Sequence, residues 1–218
     1  MPRVGVLLSG CGVFDGTEIH EAVLTLLALD QNKATIVCCA PNMPFDVVDH
    51  ITQKPTGEKR NVLTEAARIA RGQIRDLASV KASELDALIL PGGFGAAKNL
   101  CGFASQGPDC TVHPEVERLV GECLQAGKPL GAICIAPATL ARIAGKRGIK
   151  AKVTIGNDAA TAKAITAMGC LHENRPVTDV TIDRTNKIVT TPAYMLGPGP
   201  AAVWEGIRKL VEQVLALV

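Results

Sequence analysis

Short apolar runs alternate along the chain with segments whose apolar residues recur at helical spacing. The runs have the length and the content of β-branched residues that are typical of buried strands. They cover Arg3 to Ser9, Ala34 to Ala40, Ala87 to Gly93 with a terminal glycine turn, Pro129 to Ile133, Val153 to Ile155, Val180 to Asp183 and Lys187 to Thr191. Because strands that alternate with helices pair in parallel, this pattern predicts a mostly parallel sheet with helices on both faces.

Five segments have the spacing and the end signals of helices. In the first, Thr17 to Asp30, the apolar residues Ile19, Val23, Leu26 and Leu27 share one face. The other four run from Asn61 to Ala70, from His113 to Ala126 with Gly127 as the stop, from Asp158 to Met168, and from Ala201 to Leu217. Pro41 to Arg60 is predicted to be an insertion at the sheet edge, and Lys98 to Val112 a long loop that is either a lid or an ordinary surface loop.

Composition favours one globular domain, residues 1–218. The chain has 218 residues, 47% of them hydrophobic and 20% charged, which is enough for one substantial core. A net charge of +2 and the absence of long basic clusters argue against nucleic-acid binding. No stretch has the length of a membrane span and no apolar leader is visible, so a cytoplasmic protein without membrane contact is expected. The eight cysteines form no CxxC pair and are expected to be reduced thiols.

The stretch Pro129-Leu-Gly-Ala-Ile-Cys-Ile-Ala-Pro137 contains a candidate nucleophile. A strand that leads through a cysteine with small neighbours directly into a helix has the pattern of a nucleophile elbow. A helix N-terminus lowers the pKa of a cysteine and makes its thiolate more reactive. Cys134 is therefore either the nucleophile or a buried strand cysteine, because cysteine is among the most buried residue types.

Two other motifs could complete a site around this cysteine. The backbone of Gly92-Gly93 can turn its amides inward, which an oxyanion site requires, although Pro-Gly-Gly is also a common turn. Glu18 begins the first helix, where it is either a partly buried acid that faces Cys134 or part of a capping box in which Asp15 is the cap. In the first case burial raises the pKa of Glu18, so that it can transfer protons at neutral pH.

Longer blocks of sequence resemble a known family. The segments that show this resemblance are Leu8 to Ala22, Arg60 to Leu63, Pro91 to Leu100, Cys134 to Pro137, and Thr190-Thr-Pro with Gly197-Pro-Gly-Pro200. Together they are similar to the ElbB group in the PfpI branch of the class I glutamine-amidotransferase-like superfamily, described as isoprenoid-biosynthesis proteins with an amidotransferase-like domain and, in bacteria, as glyoxalases. The resemblance implies a flavodoxin-like three-layer α/β sandwich and a homo-oligomer such as a dimer.

The same resemblance implies the roles of the site residues. It makes Cys134 the nucleophile and Glu18 its acidic partner, with Glu21 as a second acidic candidate and the backbone amides of Gly93 and Ile135 as oxyanion donors. The chain departs from the superfamily, in which a histidine directly after the cysteine or on the next strand completes the site, because those places hold Ile135 and the stretch Ile155-Gly156-Asn157. His113 precedes the cysteine and is interpreted as a helix-start residue, and His172 follows it and is interpreted as a solvated surface residue.

Three functions are compatible with these residues. The first is a slow, cofactor-independent glyoxalase that converts small dicarbonyls such as methylglyoxal and glyoxal to hydroxy acids. The second is a non-enzymatic thiol sensor or interaction protein, and the third, a glutaminase, ranks last because its His and Glu pair is missing. No metal-ligand spacing and no dinucleotide fingerprint is found, so no cofactor is expected. A location in an organelle is the alternative to the cytoplasm if a targeting segment has been removed.

Overall fold

The structure is a computed structural model that describes residues 1–218, and a seven-stranded sheet lies at its centre. The strands of the chain are β1 (Arg3–Leu7), β2 (Thr35–Ala40), β3 (Pro44–Val48), β4 (Pro55–Asn61), β5 (Ile74–Asp76), β6 (Ala87–Leu90), β7 (Leu130–Ile133), β8 (Lys152–Val153), β9 (Leu171–His172), β10 (Thr181–Asp183) and β11 (Ile188–Thr191). The central sheet has the order β10-β11-β7-β6-β1-β2-β5, and only β10 is antiparallel to its neighbour. The predicted mostly parallel sheet is confirmed.

The strand order determines where the candidate site lies. Strands β1, β6, β7 and β11 are parallel neighbours, so the segments that follow them emerge at the same edge of the sheet. Those segments hold the turn before the first helix, Gly92-Gly93, Cys134 and the residues after Thr191. Binding sites of open α/β sheets are found outside the carboxyl ends of the strands.

Helices cover both faces of the sheet. They are α1 (Ile19–Gln31), α2 (Val62–Ile69), α3 (Phe94–Lys98), α4 (Phe103–Gln106), α5 (Pro114–Gln125), α6 (Ala136–Lys146), α7 (Ala159–Ala167) and α8 (Pro200–Ala216). Two hydrophobic clusters form the core: one contains buried residues of α1, α2 and α8, the other those of α3, α5, α6 and α7. The architecture is the predicted three-layer α/β sandwich. None of the helices is both long and apolar enough to cross a membrane.

Helix α1 turns a different face to the core from the one its apolar residues indicate. Ile19, Val23 and Leu27 are 43%, 47% and 43% exposed, whereas Glu21, Ala22, Thr25, Ala28 and Leu29 are buried. The buried face consists mostly of small residues, which allow α1 to pack closely against α8. The helix therefore leaves an apolar stripe in solvent and buries a glutamate at the sheet edge.

Three further details differ from the sequence prediction. Pro41 to Arg60 contains the hairpin of β3 and β4, and the short edge strand β5 was not predicted, because its three residues Ile74–Asp76 carry no apolar run. The predicted loop Lys98 to Val112 contains the short helix α4 and is closed at its base by a bridge between Cys101 and Val112.

No two cysteines are joined by a disulfide.

Candidate active site

Cys134 stands on a sharp turn between β7 and α6. Its φ angle is 61°, in the left-handed region that non-glycine residues rarely adopt, and its N–H donates to the carbonyl oxygen of Thr191 at 3.0 Å. Such conformations are found where the surrounding structure holds them, often at functional sites. The residue is 8% exposed and its side chain lines a cavity. The strand-cysteine-helix pattern therefore forms an elbow that presents the sulfur at the carboxyl edge of the sheet.

Two backbone amides are directed at this sulfur. The N–H groups of Gly93 and Ile135 face Cys134 Sγ and favour its thiolate form, so that they lower the pKa of the thiol. Gly93 has a φ of 90°, a conformation that favours glycine and that turns its amide toward the cysteine. Gly92 allows the close approach, since a Cβ atom there would lie 2.5 Å from Cβ of Cys134. The structure thus brings the two amides named in the sequence analysis to one point.

The carboxyl group next to the sulfur belongs to Glu21. This side chain is completely buried, and its carboxyl group lies beside Cys134 and interacts with the thiol. Its Oε2 accepts from the N–H of Gly92 at 2.9 Å, and its Oε1 accepts from the N–H of Tyr194 at 3.3 Å. Three segments of the chain therefore fix one carboxyl group against the candidate nucleophile.

Glu18, which the sequence analysis placed first as the acidic partner, has a different position. Its Oε2 accepts from the N–H of Glu21 at 2.6 Å, so that Glu18 is itself the N-cap of α1, and the residue lines the cavity. The proposed capping box with Asp15 is wrong, because the helix begins later, at Ile19. Asp15 instead accepts from the N–H of Val48 at 2.8 Å. Glu21 lies one helical turn further along the same face of α1. Its carboxyl group, and not that of Glu18, therefore reaches the sulfur.

Burial controls the protonation of both groups. Loss of solvent, together with the negative charge of Glu18, raises the pKa of Glu21 from 4.5 to about 8, although two backbone N–H groups oppose the rise. Burial, and then the charge of Glu21, raises the pKa of Cys134 well above its ordinary value. The expectation that the helix N-terminus lowers this pKa is not met, because the donated amide hydrogen bonds compensate only part of the desolvation. The pair therefore holds both protons at neutral pH.

An apolar cavity of about 440 Å³ opens over Cys134. The sequence analysis missed most of its walls, because they come from separate segments: α3 contributes Phe94 and Ala97, α4 contributes Phe103 and Ala104, and the turn after β11 contributes Tyr194 and Met195. The only sequence signal for these walls was that the loop after Lys98 follows closely on the Gly92-Gly93 turn. The hydroxyl group of Tyr194 is 2.7 Å from Nδ1 of His20.

The remaining histidines stand away from the sulfur. No histidine lines the cavity. His113 is the N-cap of α5, as predicted, with its Nδ1 accepting from the N–H of Glu115 at 3.3 Å. His172 is not simply solvated, since its Nε2 accepts from the N–H of Ile155 at 3.3 Å and burial lowers its pKa. No three His, Cys, Asp or Glu side chains are arranged to bind a metal ion.

Known proteins similar to this chain share nearly its whole length. The chain is 48% identical over 226 residues to the human (Homo sapiens) glutamine amidotransferase-like class 1 domain-containing protein 3, mitochondrial, covering 99% of the chain and 83% of that protein. It is 46% identical to the ES1 protein homolog, mitochondrial, of Rattus norvegicus, with coverage of 99% and 84%. It is 32% identical to the ES1 protein, mitochondrial, of Danio rerio, with coverage of 99% and 86%.

A crystal structure with the same fold comes from a bacterium. The isoprenoid biosynthesis protein with amidotransferase-like domain from Ehrlichia chaffeensis is 37% identical and superposes with a TM-score of 0.94, covering 100% of this chain and 99% of that one. This agrees with the resemblance to the ElbB group found in the sequence. The profile of the DJ-1/PfpI family matches residues 12–190. The fold, the elbow cysteine and these similarities together show that the chain belongs to the DJ-1/PfpI family.

Proposed function

We propose that this protein is a cofactor-independent glyoxalase that converts 2-oxoaldehydes to 2-hydroxy acids. One observation carries the proposal: the Cys134 sulfur faces an apolar cavity, two backbone amides are directed at this sulfur, and the Glu21 carboxyl group lies beside it. The overall conversion adds one water to the substrate and changes no net oxidation state. It requires a nucleophile, oxyanion stabilisation and one group that moves protons, and these three groups meet at this point.

The first step forms a bond between sulfur and the aldehyde carbon. Cys134 Sγ adds to that carbon, and the thiol proton passes to the ionised form of Glu21 and from there to the former carbonyl oxygen. The amides of Gly93 and Ile135 stabilise the oxygen while it carries negative charge. The product is a hemithioacetal on Cys134.

The second step moves a proton between the two carbons of the substrate. The carbon bonded to sulfur lies next to Glu21, whose carboxylate removes its proton and returns it to the neighbouring carbon, while the hydroxyl proton of the hemithioacetal passes to the oxygen on that neighbouring carbon. A carboxyl group with a pKa of about 8 can accept and donate protons near neutral pH. This gives a thioester of the hydroxy acid. Water then attacks the thioester carbonyl, the C–S bond breaks, and the thiol proton is restored.

The structure also suggests a division of labour between the two glutamates. Glu21 is the proton-transfer group in this proposal, because it contacts the sulfur. Glu18 is a positioning residue: it caps α1 and its charge raises the pKa of Glu21. Only one of the two acids named from the sequence therefore performs the proton transfer.

Methylglyoxal conversion without glutathione or added metal tests the proposal. The assay follows loss of methylglyoxal and formation of lactate. The wild type should form product, and Cys134→Ser should reduce kcat to the level of the buffer. Glu21→Gln should reduce kcat by about 10²-fold or more, because it cannot exchange a proton. Glu18→Gln should lower kcat less than Glu21→Gln, since its side-chain oxygen can still cap the helix, and Glu205→Gln on the surface of α8 is the control. Product formation that survives Cys134→Ser contradicts the proposal.

A thiol sensor is the second candidate, and one observation favours it. The carboxyl of Glu21 could donate a hydrogen bond to an oxidised Cys134. The raised pKa of Cys134 argues the other way, because the thiolate is the form that peroxide oxidises. Intact-protein mass spectra after peroxide treatment distinguish the two functions. A glutaminase is not proposed, because no histidine lines the cavity.

We also propose a homo-oligomer, as the family resemblance implies. The exposed apolar stripe of Ile19, Val23 and Leu27 on α1 supports it, because exposed apolar residues that adjoin one another on a helix face are a common feature of protein–protein contacts. Sedimentation equilibrium of the purified protein tests this. A monomer at micromolar concentration would contradict the proposal.

The names of the vertebrate relatives support a location in an organelle. The human, rat and zebrafish proteins are all named mitochondrial. Immunodetection in fractionated source cells decides between an organelle and the cytoplasm. Recovery together with soluble cytosolic markers would favour the cytoplasm.

A further inference from the structure

The size and chemistry of the cavity over Cys134 indicate which substrates the site accepts. Its volume of about 440 Å³ falls within the range of about 300–1,000 Å³ that is typical of pockets for drug-sized ligands. Methylglyoxal consists of two carbonyl groups and one methyl group, and it would fill only a small part of this space. Space that a substrate leaves unfilled contributes no binding energy.

The walls of the cavity are apolar over most of their area. Nine of the twelve lining residues are hydrophobic. The larger ones are Val13, Phe94, Phe103, Ile135, Tyr194 and Met195. Phe103 is half-buried against the core cluster on its side of the sheet. An alkyl or aryl group that enters this space exchanges water for apolar contacts, which favours binding.

The lining of the cavity lacks cationic residues, which disfavours anionic substrates. The lining contains no lysine, arginine or histidine, and its one ionisable carboxyl residue is Glu18. The nearby Lys98 is directed elsewhere, because its Nζ donates to the carbonyl oxygen of Phe14 at 3.1 Å and lies 5.2 Å from the centre of the Phe94 ring. A phosphate or carboxylate in the cavity would be desolvated next to a like charge without a cation to pair with.

We infer that the preferred substrates are neutral 2-oxoaldehydes that carry an alkyl or aryl group much larger than methyl. This inference rests on the proposed function, and it names the substrate class of the same site. The aldehyde carbon lies at Cys134, where the amides of Gly93 and Ile135 reach its oxygen. The apolar group extends between Phe94 and Phe103.

A series of 2-oxoaldehydes with methyl, butyl and hexyl groups tests the inference by turnover. Each buried methylene is worth about a fourfold change in binding. We therefore expect kcat/KM to rise at least about tenfold from methyl to hexyl. A 2-oxoaldehyde of the same length that ends in a carboxylate should lose this gain. Equal values for the carboxylate and the hexyl compound would overturn the conclusion that the substrate is neutral.

Two variants locate the effect in the cavity. Ala104 is exposed at the wall of the cavity, and Ala104→Phe would fill the space that a hexyl group occupies. The ratio of the hexyl to the methyl kcat/KM should then fall about tenfold or more. Ser105 is the exposed neighbour and does not line the cavity, so Ser105→Phe should leave the ratio unchanged. Equal ratios in both variants would overturn the inference.

A second assay does not depend on glyoxalase activity. N-methylmaleimide and N-hexylmaleimide each form one bond from the thiol sulfur to a ring carbon, and the thiol proton passes to the adjacent carbon. Peptide mapping by mass spectrometry gives the rate at Cys134, divided by the rate of the same reagent with glutathione. The apolar cavity should accelerate the hexyl reagent at least about tenfold relative to the methyl reagent.

The two assays separate failure of the inference from failure of the proposed function. If no 2-oxoaldehyde is converted but the hexyl maleimide is favoured, the proposed function fails and the preference for apolar electrophiles holds. If methylglyoxal is converted through Cys134 but neither series rises with chain length, the inference is overturned and the function stands. If neither assay responds, both are overturned.

Discussion

Replacing Glu21 by glutamine should remove a large pH dependence from the free energy of unfolding. The carboxyl group titrates near 4.5 when solvated and at about 8 in the folded protein, where it is completely buried. Between these two pH values the folded protein holds a proton that the unfolded chain has released. Raising the pH therefore favours unfolding, and the stability that is fully present below pH 4.5 is lost as the pH rises toward 8.

The size of this pH effect on the free energy of unfolding follows from the raised pKa of Glu21. Within that window each pH unit changes the free energy of unfolding by about 1.36 kcal/mol for one proton. From pH 5.5 to pH 7.5 the wild type should therefore lose about 2–3 kcal/mol relative to Glu21→Gln. Glutamine cannot ionise, and it has only one acceptor oxygen for the amides of Gly92 and Tyr194. The lost acceptor adds a destabilisation of about 1–3 kcal/mol that does not change with pH.

Urea denaturation at several pH values measures the difference. The chain contains a single tryptophan, Trp204 on α8, whose fluorescence reports unfolding. Glu205→Gln is a control, because Glu205 is an exposed carboxyl in a surface ion pair with Arg208 at 3.1 Å. It should follow the wild-type pH dependence. Parallel curves for the wild type and Glu21→Gln between pH 5.5 and 7.5 would refute the assignment of a buried, protonated carboxyl.

Three further predictions concern the same edge of the sheet and helix α1. Glu18→Gln removes the charge that helps to raise the pKa of Glu21, so the rise of kcat with pH should move to lower pH; an unshifted profile would show that the charge has no effect. Gly92→Ala places a Cβ atom 2.7 Å from Oε2 of Glu21 and should destabilise the fold by about 1–3 kcal/mol in urea, whereas Gly102→Ala meets only a flexible side chain and should cost less. Val23→Lys puts a charge into the apolar stripe and should weaken self-association in sedimentation, with circular dichroism unchanged; unaltered association would exclude the stripe as the interface.

The sequence by itself determined the layers, the strand-helix alternation and the position of the candidate nucleophile. These follow from local signals. The strand before Cys134, the small residues around it and the helix after it form one continuous segment of the chain. The two glycines likewise come directly after the strand and proline that precede them. Because parallel strands place their carboxyl ends at one edge, the meeting of Gly93, Ile135 and Cys134 could be expected before the fold was known.

Tertiary structure decided which carboxyl group reaches the sulfur, and in which protonation state. Glu18 and Glu21 are one helical turn apart, and only the register of α1 against α8 and the sheet buries the second and leaves the first at the cavity wall. The apolar residues of α1 gave a wrong prediction of its buried face, because the face that packs against the core consists mostly of small residues. The pKa of Cys134 depends on desolvation, a property of the packed molecule that neighbours in sequence do not reveal. The cavity likewise combines α3, α4 and the turn after β11, segments that only the folded chain brings together.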